Sequence, residues 1–287
     1  MENSALQRIP KFFTGIALSL ILTTPVSAEN NSSPWAVFYG YDAPTKAFSP
    51  FNLVVLDSAT QVPVQTLRDS GKTVLGYISL GEVASHRSYF KAVEAQGMLL
   101  EENPNWPGSF SVDLRNKQWT ARVINELIPD ILRRGFDGIF IDTLDNPPEW
   151  ERLDPQRFQG MTTATIRLLR TIRERFPRIK IMLNRAYAIL PYAGGYVDIV
   201  LGESVFSTYN FETKHYQKVD PELYRQQLEI LNSARGRFPN LQIMTLDYWN
   251  ADDSAGIDRI YTEQRKNGFS PYVSTIELDQ IIYEPSK

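Results

Sequence analysis

Two acidic residues stand directly behind short apolar runs of the kind that form buried strands. Asp142 follows residues 138–141, and Glu203 follows residues 198–202. A pair of carboxyl groups can hydrolyse a glycosidic bond, because one protonates the leaving oxygen while the other attacks the sugar or activates water. An oxygen-rich site could instead bind a divalent metal ion. The two residues are therefore the candidate catalytic groups, and both chemistries stay open at this point.

Ten further residues lie at or just after the ends of predicted strands, where a substrate would reach them. Among them, Tyr248 and Trp249 form a predicted stacking platform, because an aromatic ring offers an apolar face while its polar edge stays hydrogen-bonded. We predict that all ten bind substrate: Tyr39, Asp57, Tyr77, Glu82, Asp145, Asn184, Arg185, Asp247, Tyr248 and Trp249.

Several acidic residues in this set have a second interpretation. Asp145 could orient the substrate or cap the helix that follows it, and Asp57 and Asp247 could likewise be helix caps. Glu82 could bind sugar hydroxyl groups or hold Arg185 in an ion pair. The sequence alone leaves these alternatives open.

The chain has few of the residues that bind transition metals. It contains no cysteine and two histidines, His86 and His215, neither of which ends a predicted strand. Catalytic transition metals are normally held by histidine, and both histidines are interpreted as surface or loop residues. We therefore predict no bound metal and no cofactor, with magnesium or calcium as the remaining alternative.

The elements that must position these residues alternate along the chain. Short β-rich runs are separated by longer stretches with helical periodicity, which is typical of a parallel sheet built from βα units. Several runs are apolar throughout, as expected for strands covered on both faces. Eight such units predict an α/β fold of the (β/α)8 TIM-barrel class. The predicted strands are residues 35–40, 52–57, 73–79, 138–142, 180–184, 198–202, 242–247 and 271–275.

An open doubly wound sheet is the alternative fold. Such sheets usually carry a glycine-rich phosphate loop after the first strand, and residues 40–43 (GYDA) do not form one. In the barrel, the helices after the first and fifth strands would have to be short or replaced by loops. A further β-like run at residues 110–113 is expected in an insertion after the third strand. Active-site groups of a barrel lie at the carboxyl ends of its strands.

The first 28 residues have the pattern of a secretory signal peptide. Arg8 and Lys11 precede the short apolar run 12–22, and small residues follow at 26–28. Cleavage there would leave residues 29–287 as a single barrel domain that is secreted or periplasmic and has no membrane span. An uncleaved N-terminal anchor is the alternative.

The charge balance indicates which partners to expect. The chain has 30 basic and 33 acidic residues, a net charge of −3, and no cluster of Lys and Arg. Nucleic-acid binding depends on such clusters, so we predict no nucleic-acid partner. A polysaccharide substrate is the predicted partner, and the oligomeric state is left open.

Five segments that end in polar residues follow one another along the chain: FNLVVLD at 51–57, LGYISLGE at 75–82, GFDGIFIDTLD at 135–145, LNR at 183–185 and GES at 202–204. Together they resemble glycoside hydrolase family 114, the endo-α-1,4-polygalactosaminidases, and the chain is also similar to the hydrolase domain of the Pel exopolysaccharide system. The resemblance implies a barrel that cleaves α-1,4-linked polymers containing galactosamine. It also implies a catalytic Asp on the fourth strand and a catalytic Glu on the sixth, which match Asp142 and Glu203.

The hypothesis that results is a retaining glycoside hydrolase. Asp142 would be the nucleophile and Glu203 the acid/base, with the reverse assignment still open, and retention requires the two carboxyl groups roughly 5–6 Å apart. Two other classes compete with it: a non-catalytic carbohydrate-binding barrel, and a metal-dependent polysaccharide deacetylase or phosphodiesterase. An ion bound among Asp57, Asp142 and Asp247 would favour the metal-dependent class.

Overall fold

Parallel strands at the centre of the fold carry the candidate residues. The computed structural model describes residues 34–286, so the predicted signal peptide at residues 1–28 lies outside the described residues. Within that part of the chain, one sheet contains eight strands in sequence order, each parallel to its neighbours. They are β1 (Trp35–Phe38), β2 (Leu53–Asp57), β3 (Thr73–Ser79), β4 (Gly138–Asp142), β5 (Lys180–Asn184), β6 (Ile199–Glu203), β7 (Gln242–Tyr248) and β8 (Ser270–Ser274).

The sheet curves until its first and last strands meet, which makes a nearly closed barrel. The indole N–H of Trp35 on β1 donates a hydrogen bond of 2.9 Å to the carbonyl of Ser270 on β8. The ring of Trp35 also packs against Tyr272, with 5.6 Å between the ring centroids. The predicted (β/α)8 barrel is therefore confirmed.

Apolar runs form the strands because both faces of each strand are covered. The residues from Leu53 to Leu56 are all buried, as are those from Ile199 to Leu201. The predicted strand boundaries agree with the observed ones to within two residues. Glu203 is the last residue of β6, so its side chain is held by a strand at the rim of the barrel.

The helices surround the barrel and alternate with its strands. After β1 and β5 the described helices are short, as predicted, and among residues 34–286 no helix is long and apolar enough to cross a membrane. The α-helices are Val64–Asp69, Phe90–Ala95, Lys117–Arg122, Ile128–Arg133, Asn146–Leu153, Met161–Arg175, Leu190–Ala193, Pro221–Arg237 and Ser254–Lys266. A π-helical turn spans Val123–Leu127, and 3-10 turns span Thr45–Phe48, Tyr187–Ile189 and Gly194–Tyr196.

The helix Pro221–Arg237 shows how local sequence sets an element boundary. The Asp220 side chain accepts hydrogen bonds from the backbone N–H groups of Glu222 and Leu223, at 2.9 and 3.2 Å. Pro221 occupies the first helical position, where its missing N–H is not needed. The Asp-Pro pair therefore sets the first turn of this helix.

Two excursions rise from the carboxyl ends of the strands. After β3, an antiparallel insertion sheet is formed by Glu82–Ala84, Leu99–Glu102 and Ser109–Val112, which confirms the insertion expected at residues 110–113. After β6, the strands Ser207–Asn210 and His215–Lys218 form a hairpin, which the sequence did not predict. Both excursions lie on the side of the barrel where active-site groups are expected.

Candidate active site

The last residues of three consecutive strands meet at the mouth of the barrel. Asp142 ends β4, Asn184 ends β5 and Glu203 ends β6. The side-chain amide nitrogen of Asn184 donates to Asp142 Oδ1 at 2.9 Å and to Glu203 Oε2 at 2.6 Å. Since both oxygens bond to one nitrogen, they lie no farther apart than these two distances laid end to end, about 5.5 Å. The structure therefore brings the two candidate catalytic acids together.

Neutral groups donate the other hydrogen bonds to these two carboxyl groups. Tyr77 donates its hydroxyl to Asp142 Oδ2 at 2.9 Å, and the backbone N–H of Thr143 donates to Asp142 Oδ1 at 2.8 Å. Tyr248 donates its hydroxyl to Glu203 Oε1. Both carboxyl groups are thus held in place without a cationic partner in direct contact, and both are largely buried with a part exposed to solvent.

Burial at the mouth of the barrel raises the pKa of Glu203 and of three neighbouring tyrosines. Burial, and then the negative charge of Asp142, raise the pKa of Glu203, whereas the hydrogen bonds from Asn184 and Tyr248 lower it by a smaller amount. Burial also raises the pKa of Tyr39, Tyr77 and Tyr248 well above 10.0. The tyrosines therefore keep their protons and remain donors, while Glu203 holds its proton to a higher pH than an exposed glutamate.

The backbone turns sharply immediately after each of these three residues. Thr143, Arg185 and Ser204 follow them with φ angles of 65°, 47° and 53°. Positive φ is uncommon for residues other than glycine, and a β-branched residue such as Thr143 is especially disfavoured there. Backbone strain of this kind is concentrated at functional sites. Positive φ angles directly after three adjacent strands therefore indicate that the functional site lies at this rim of the barrel.

A cleft of about 890 Å³ opens above the carboxylate pair. Of the twelve residues that the sequence assigned to the site, the cleft is lined by the two acids and by six of the predicted substrate-binding residues. These six are Tyr39, Asp57, Tyr77, Glu82, Asn184 and Tyr248. Tyr39 contacts Tyr77 edge-to-face, with 4.9 Å between the ring centroids. Through Tyr77, it is connected to the hydrogen bonds around Asp142.

Asp57 lines the cleft as one half of an ion pair. The guanidinium of Arg87 donates to both of its carboxylate oxygens, at 2.8 and 3.3 Å, and the backbone N–H of Ala59 donates to Oδ1 at 2.6 Å. Arg87 comes from the excursion after β3 and its guanidinium lies 5.9 Å from the centre of the Tyr77 ring. The Asp57 carboxylate that lines the cleft is therefore paired with Arg87, a residue that the sequence did not single out.

Glu82 does not hold Arg185, so that part of the prediction is wrong. Its carboxylate is buried and accepts hydrogen bonds from Asn103 at 2.9 Å, Asn146 at 2.6 Å and Ser109 at 2.7 Å. Asn103 and Ser109 flank the loop between two strands of the insertion sheet. Glu82 therefore fastens this loop to the rim of the barrel.

Arg185 and Asp145 lie outside the cleft lining. Their nearest charged atoms, Arg185 Nε and Asp145 Oδ2, are 3.9 Å apart, and the Arg185 guanidinium lies over the ring of Tyr187. Asp145 precedes the helix Asn146–Leu153, yet its side chain makes no capping hydrogen bond within the described residues. Neither of its two predicted roles, substrate ligand and helix cap, is supported by a contact in the structure.

Asp247 and Trp249 are not among the residues that line the cleft, and the burial of Asp247 corrects the prediction made for it. Successive side chains of a strand face opposite sides, so Tyr248 faces the site while its neighbours face the surrounding elements. Asp247 is fully buried and accepts bonds from the N–H groups of Phe206 and Ser207 and from Gln264, at 2.5–2.8 Å. The indole N–H of Trp249 donates to Asp253 at 2.8 Å. Asp247 is therefore not a cleft ligand, whereas the stacking role of Trp249 stays a prediction.

In the described residues, neither the histidines nor Asp57 and Asp247 complete a metal site with Asp142. His86 is exposed on the loop that lines the cleft, and His215 lies on the hairpin. Asp57 is held by Arg87, and Asp247 faces away from Asp142. In the described part of the chain, no group of three or more His, Asp or Glu side chains is placed to hold a metal ion.

Sequence reasoning missed the residues that come from the excursions. Arg87, Asn103 and Trp106 all line the cleft, but none of them ends a strand. Barrel periodicity predicts only what the strand ends present, and the paths of these loops leave no periodic pattern.

The barrel and its paired acids define a glycoside hydrolase of the TIM-barrel type. The family model of glycoside-hydrolase family GH114 matches residues 22–287, and the chain belongs to this family. The match confirms the resemblance seen in the sequence.

Solved structures and sequence relatives agree with this family. The glycoside hydrolase domain of PelA from Pseudomonas aeruginosa superposes with a TM-score of 0.77 and is 26% identical, covering 86% of this chain and 96% of that domain. Aspergillus fumigatus Ega3, solved in complex with galactosamine, shares the fold with a TM-score of 0.61 at 14% identity, covering 86% and 93% of the two chains. An uncharacterised protein of Deinococcus radiodurans is 28% identical over 82% of this chain and 76% of its own length.

Proposed function

We propose that this protein hydrolyses α-1,4-linked, galactosamine-containing polysaccharide with retention of configuration. The observation that carries the proposal is the pair Asp142 and Glu203, joined through one amide nitrogen of Asn184. Family membership supports glycosidic cleavage. The hydrolase domain of PelA also supports glycosidic cleavage, and Ega3, which was solved in complex with galactosamine, supports the choice of substrate class.

The distance between the two acids supports retention. Their nearest bonded oxygens are at most about 5.5 Å apart. Retaining enzymes hold their carboxyl groups about 5–5.5 Å apart, whereas inverting enzymes need about 6.5–9.5 Å to admit a water molecule. The acid pair therefore favours direct attack by a carboxylate on the sugar.

The titration of Glu203 supports its role as acid/base. Because burial and the charge of Asp142 raise its pKa, Glu203 keeps a proton that it can donate to the glycosidic oxygen. As the bond between the anomeric carbon and that oxygen breaks, the Asp142 carboxylate forms a bond to the anomeric carbon. Water then attacks the same carbon, Glu203 takes the proton of the water, and Asp142 leaves.

The charge of the cleft suits a cationic amino sugar. Among the described residues, six carboxyl groups line the cleft against two arginines, Arg87 and Arg134. Arg87 is paired with Asp57, and Arg134 donates to the carbonyl of Thr60 at 2.6 Å. The remaining negative field would attract a polymer that carries free amino groups. Partly deacetylated galactosamine polymers have this charge.

The proposed place of action is outside the cytoplasm, either secreted or periplasmic. The proposal rests on the charged, apolar and small-residue pattern of residues 1–28. Expression in a bacterium with an intact N-terminus, followed by fractionation and N-terminal sequencing, tests it. A mature protein that begins near residue 29 in the periplasm or medium is expected, and recovery of the uncleaved chain from the cytoplasm would overturn it.

The test of the activity is a product profile on α-1,4 galactosamine polymers of differing acetylation. New reducing ends are expected, and NMR of the first product is expected to show the anomeric configuration of the substrate. Polymer binding without new reducing ends would instead identify a carbohydrate-binding barrel. Release of acetate that EDTA abolishes, with chain length unchanged, would identify a metal-dependent deacetylase. A first product of inverted configuration would overturn retention alone.

A further inference from the structure

Two exposed aromatic rings meet above the barrel although they belong to different excursions. Trp106 lies on the loop between two strands of the insertion sheet, and Phe211 lies at the tip of the hairpin after β6. Their side chains are 51% and 44% exposed. Their ring centroids are 5.6 Å apart, and the planes cross at 78°. The two excursions therefore touch through rings that remain half in solvent.

The contact joins opposite sides of the site. The insertion sheet follows β3 and the hairpin follows β6, and β4 and β5 lie between these strands in the sheet. Asp142 and Asn184 end those two intervening strands. Trp106 also lines the cleft itself. The aromatic pair consequently stands at the edge of the space that holds the carboxylates.

The loop that carries Trp106 is fixed from both of its ends. Asn103 and Ser109, which flank the loop, both donate to the buried carboxylate of Glu82. The backbone N–H of Trp106 donates to the carbonyl of Asn103 at 3.2 Å, and its own carbonyl accepts from Ser109 at 3.0 Å. An exposed indole held this way is positioned before any ligand arrives, so binding would require little ordering of the protein.

The hairpin that carries Phe211 is fixed by a second aromatic cluster. Phe211 packs edge-to-face on Tyr209 at 5.3 Å, and Tyr209 packs on Tyr216 at 5.1 Å. The hydroxyl of Tyr216 accepts a hydrogen bond of 3.3 Å from the backbone N–H of Ile276, which follows β8. Both rings of the pair are thus supported by the barrel rim on separate sides.

We propose that Trp106, supported by Phe211, is a distal sugar-binding subsite that stacks on a ring of the polysaccharide some distance along the chain from the cleaved bond. An aromatic face matches the apolar C–H face of a pyranose, and an edge-to-face pair leaves ring surface free for that contact. The proposal rests on the proposed function, since it requires a polysaccharide substrate. It makes the protein select for chains long enough to reach from the acids to the rim.

The test compares long and short substrates in Trp106→Ala. Loss of one stacked sugar should raise KM for the polymer by about tenfold with kcat nearly unchanged. The shortest oligosaccharide that the enzyme still cleaves should be cleaved with unchanged KM and kcat. Trp106→Phe keeps a ring and should recover most of the polymer affinity, and Phe211→Ala should show a smaller effect in the same direction.

Two controls separate stacking from damage to the fold. Tyr192→Ala removes another exposed ring, which is 68% exposed and outside the cleft lining. It should leave KM and kcat unchanged for both the polymer and the short oligosaccharide. Calorimetry of polymer binding to Glu203→Gln, with and without Trp106→Ala, should show the same tenfold loss of affinity without any turnover.

The outcomes distinguish this subsite from the proposed function. Equal losses on long and short substrates, or an unchanged KM for the polymer in Trp106→Ala, would overturn the subsite while cleavage itself persists. If the unaltered protein neither binds nor cleaves any galactosamine polymer, the proposed function fails instead. A rise in KM that is confined to the polymer, in Trp106→Ala or in Phe211→Ala, supports the subsite.

Discussion

Strands β4 and β6 each have an acidic residue at both ends, at the same spacing, and the acids at the two ends have different roles. Asp137 directly precedes β4 and Asp142 ends it; Asp198 directly precedes β6 and Glu203 ends it. Each pair is five residues apart, so the chain presents one acid at each rim of the barrel on two strands. The partners of these four acids differ by rim and not by strand.

At the amino-terminal rim, each acid is paired with an arginine. Arg68 Nε lies 2.7 Å from Asp137, and Arg173 Nη2 lies 2.7 Å from Asp198. Each aspartate also accepts a backbone N–H from the strand that precedes it in the sheet, at 2.9 and 2.7 Å. These acids connect neighbouring strands to the helices outside, which is a structural use.

At the carboxyl-terminal rim, the donors are neutral. Asp142 and Glu203 share the amide of Asn184 and accept hydroxyl groups from Tyr77 and Tyr248. Such donors fix the direction of a carboxyl group without cancelling its charge, and that charge is what glycosidic cleavage needs. An arginine partner, and not the acid or its spacing, therefore separates the structural ends from the candidate catalytic ends of these strands.

Removing the charge of either acid at the carboxyl-terminal rim should have the largest effect. Asp142→Asn and Glu203→Gln keep the size of the side chains, and each should lower kcat on galactosamine polymer by about 10³-fold or more. The midpoint of thermal unfolding should stay close to that of the unaltered protein, because no ion pair is lost. Reducing-end assays beside calorimetry measure both quantities. Full activity in either variant would remove that residue from the catalytic pair.

Like the acids at the carboxyl-terminal rim, Asp247 has only neutral hydrogen-bond donors. Unlike them, it is closed off from the cleft. Burial raises its pKa from an ordinary value of 3.8 to about 6. The folded state therefore binds this proton more tightly than the unfolded chain. Its contribution to the free energy of unfolding is largest below pH 4 and is lost as the pH rises through about 6, by about 3 kcal/mol.

Asp247→Asn should remove this pH dependence. The buried Oε1 of Gln264 has no hydrogen-bond partner among the described residues, so the Gln264 amide can turn and accept from the new asparagine. Urea unfolding between pH 4 and pH 7 measures the difference in stability between variant and parent. That difference should shift in favour of the variant as the pH rises. A difference that stays constant across the range would show that Asp247 titrates as an ordinary aspartate.

Replacing the acids of the amino-terminal rim should have the opposite effect to replacing the candidate catalytic pair. Asp137→Asn and Asp198→Asn remove a charged partner of Arg68 and Arg173, and each should lower the free energy of unfolding by about 1–3 kcal/mol. The kcat of the folded protein should be unchanged at room temperature. Asp142→Asn on the same strand is the matched control. A large loss of kcat in Asp137→Asn with stability unchanged would contradict the division of uses between the two rims.

Most of the barrel could be predicted because its strands are apolar runs that end in polar residues. The hairpin after β6 could not, since its strands, Ser207–Asn210 and His215–Lys218, are short and polar and lie at the surface. The place of Asp142 and Glu203 followed from chain order, because the ends of parallel strands share one rim.

The remaining site residues show where strand-end reasoning stops. Asp247 and Tyr248 are adjacent, and the sequence does not say which of two alternating side chains faces the cleft. Glu82 was recognised as a rim acid, but its partners, Asn103 and Ser109, come from a loop whose path no periodicity encodes. Trp106 reaches the site for the same reason: the contact depends on tertiary structure far from its position in the chain.

The smallest predicted effect concerns the hydrogen bond from Tyr248 to Glu203. This bond favours the carboxylate, so it holds the pKa of Glu203 below the level that burial and Asp142 would otherwise produce. Tyr248→Phe should raise that pKa further, and the alkaline limb of the pH profile of kcat/KM should move to higher pH, because Glu203 would keep its catalytic proton longer. Tyr77→Phe, on the other carboxyl group, is the matched control and should leave this limb nearly in place. An alkaline limb that moves to lower pH in Tyr248→Phe would mean that another group supplies the proton. Tyr248 would then set only the position of the Glu203 carboxyl group and not its titration.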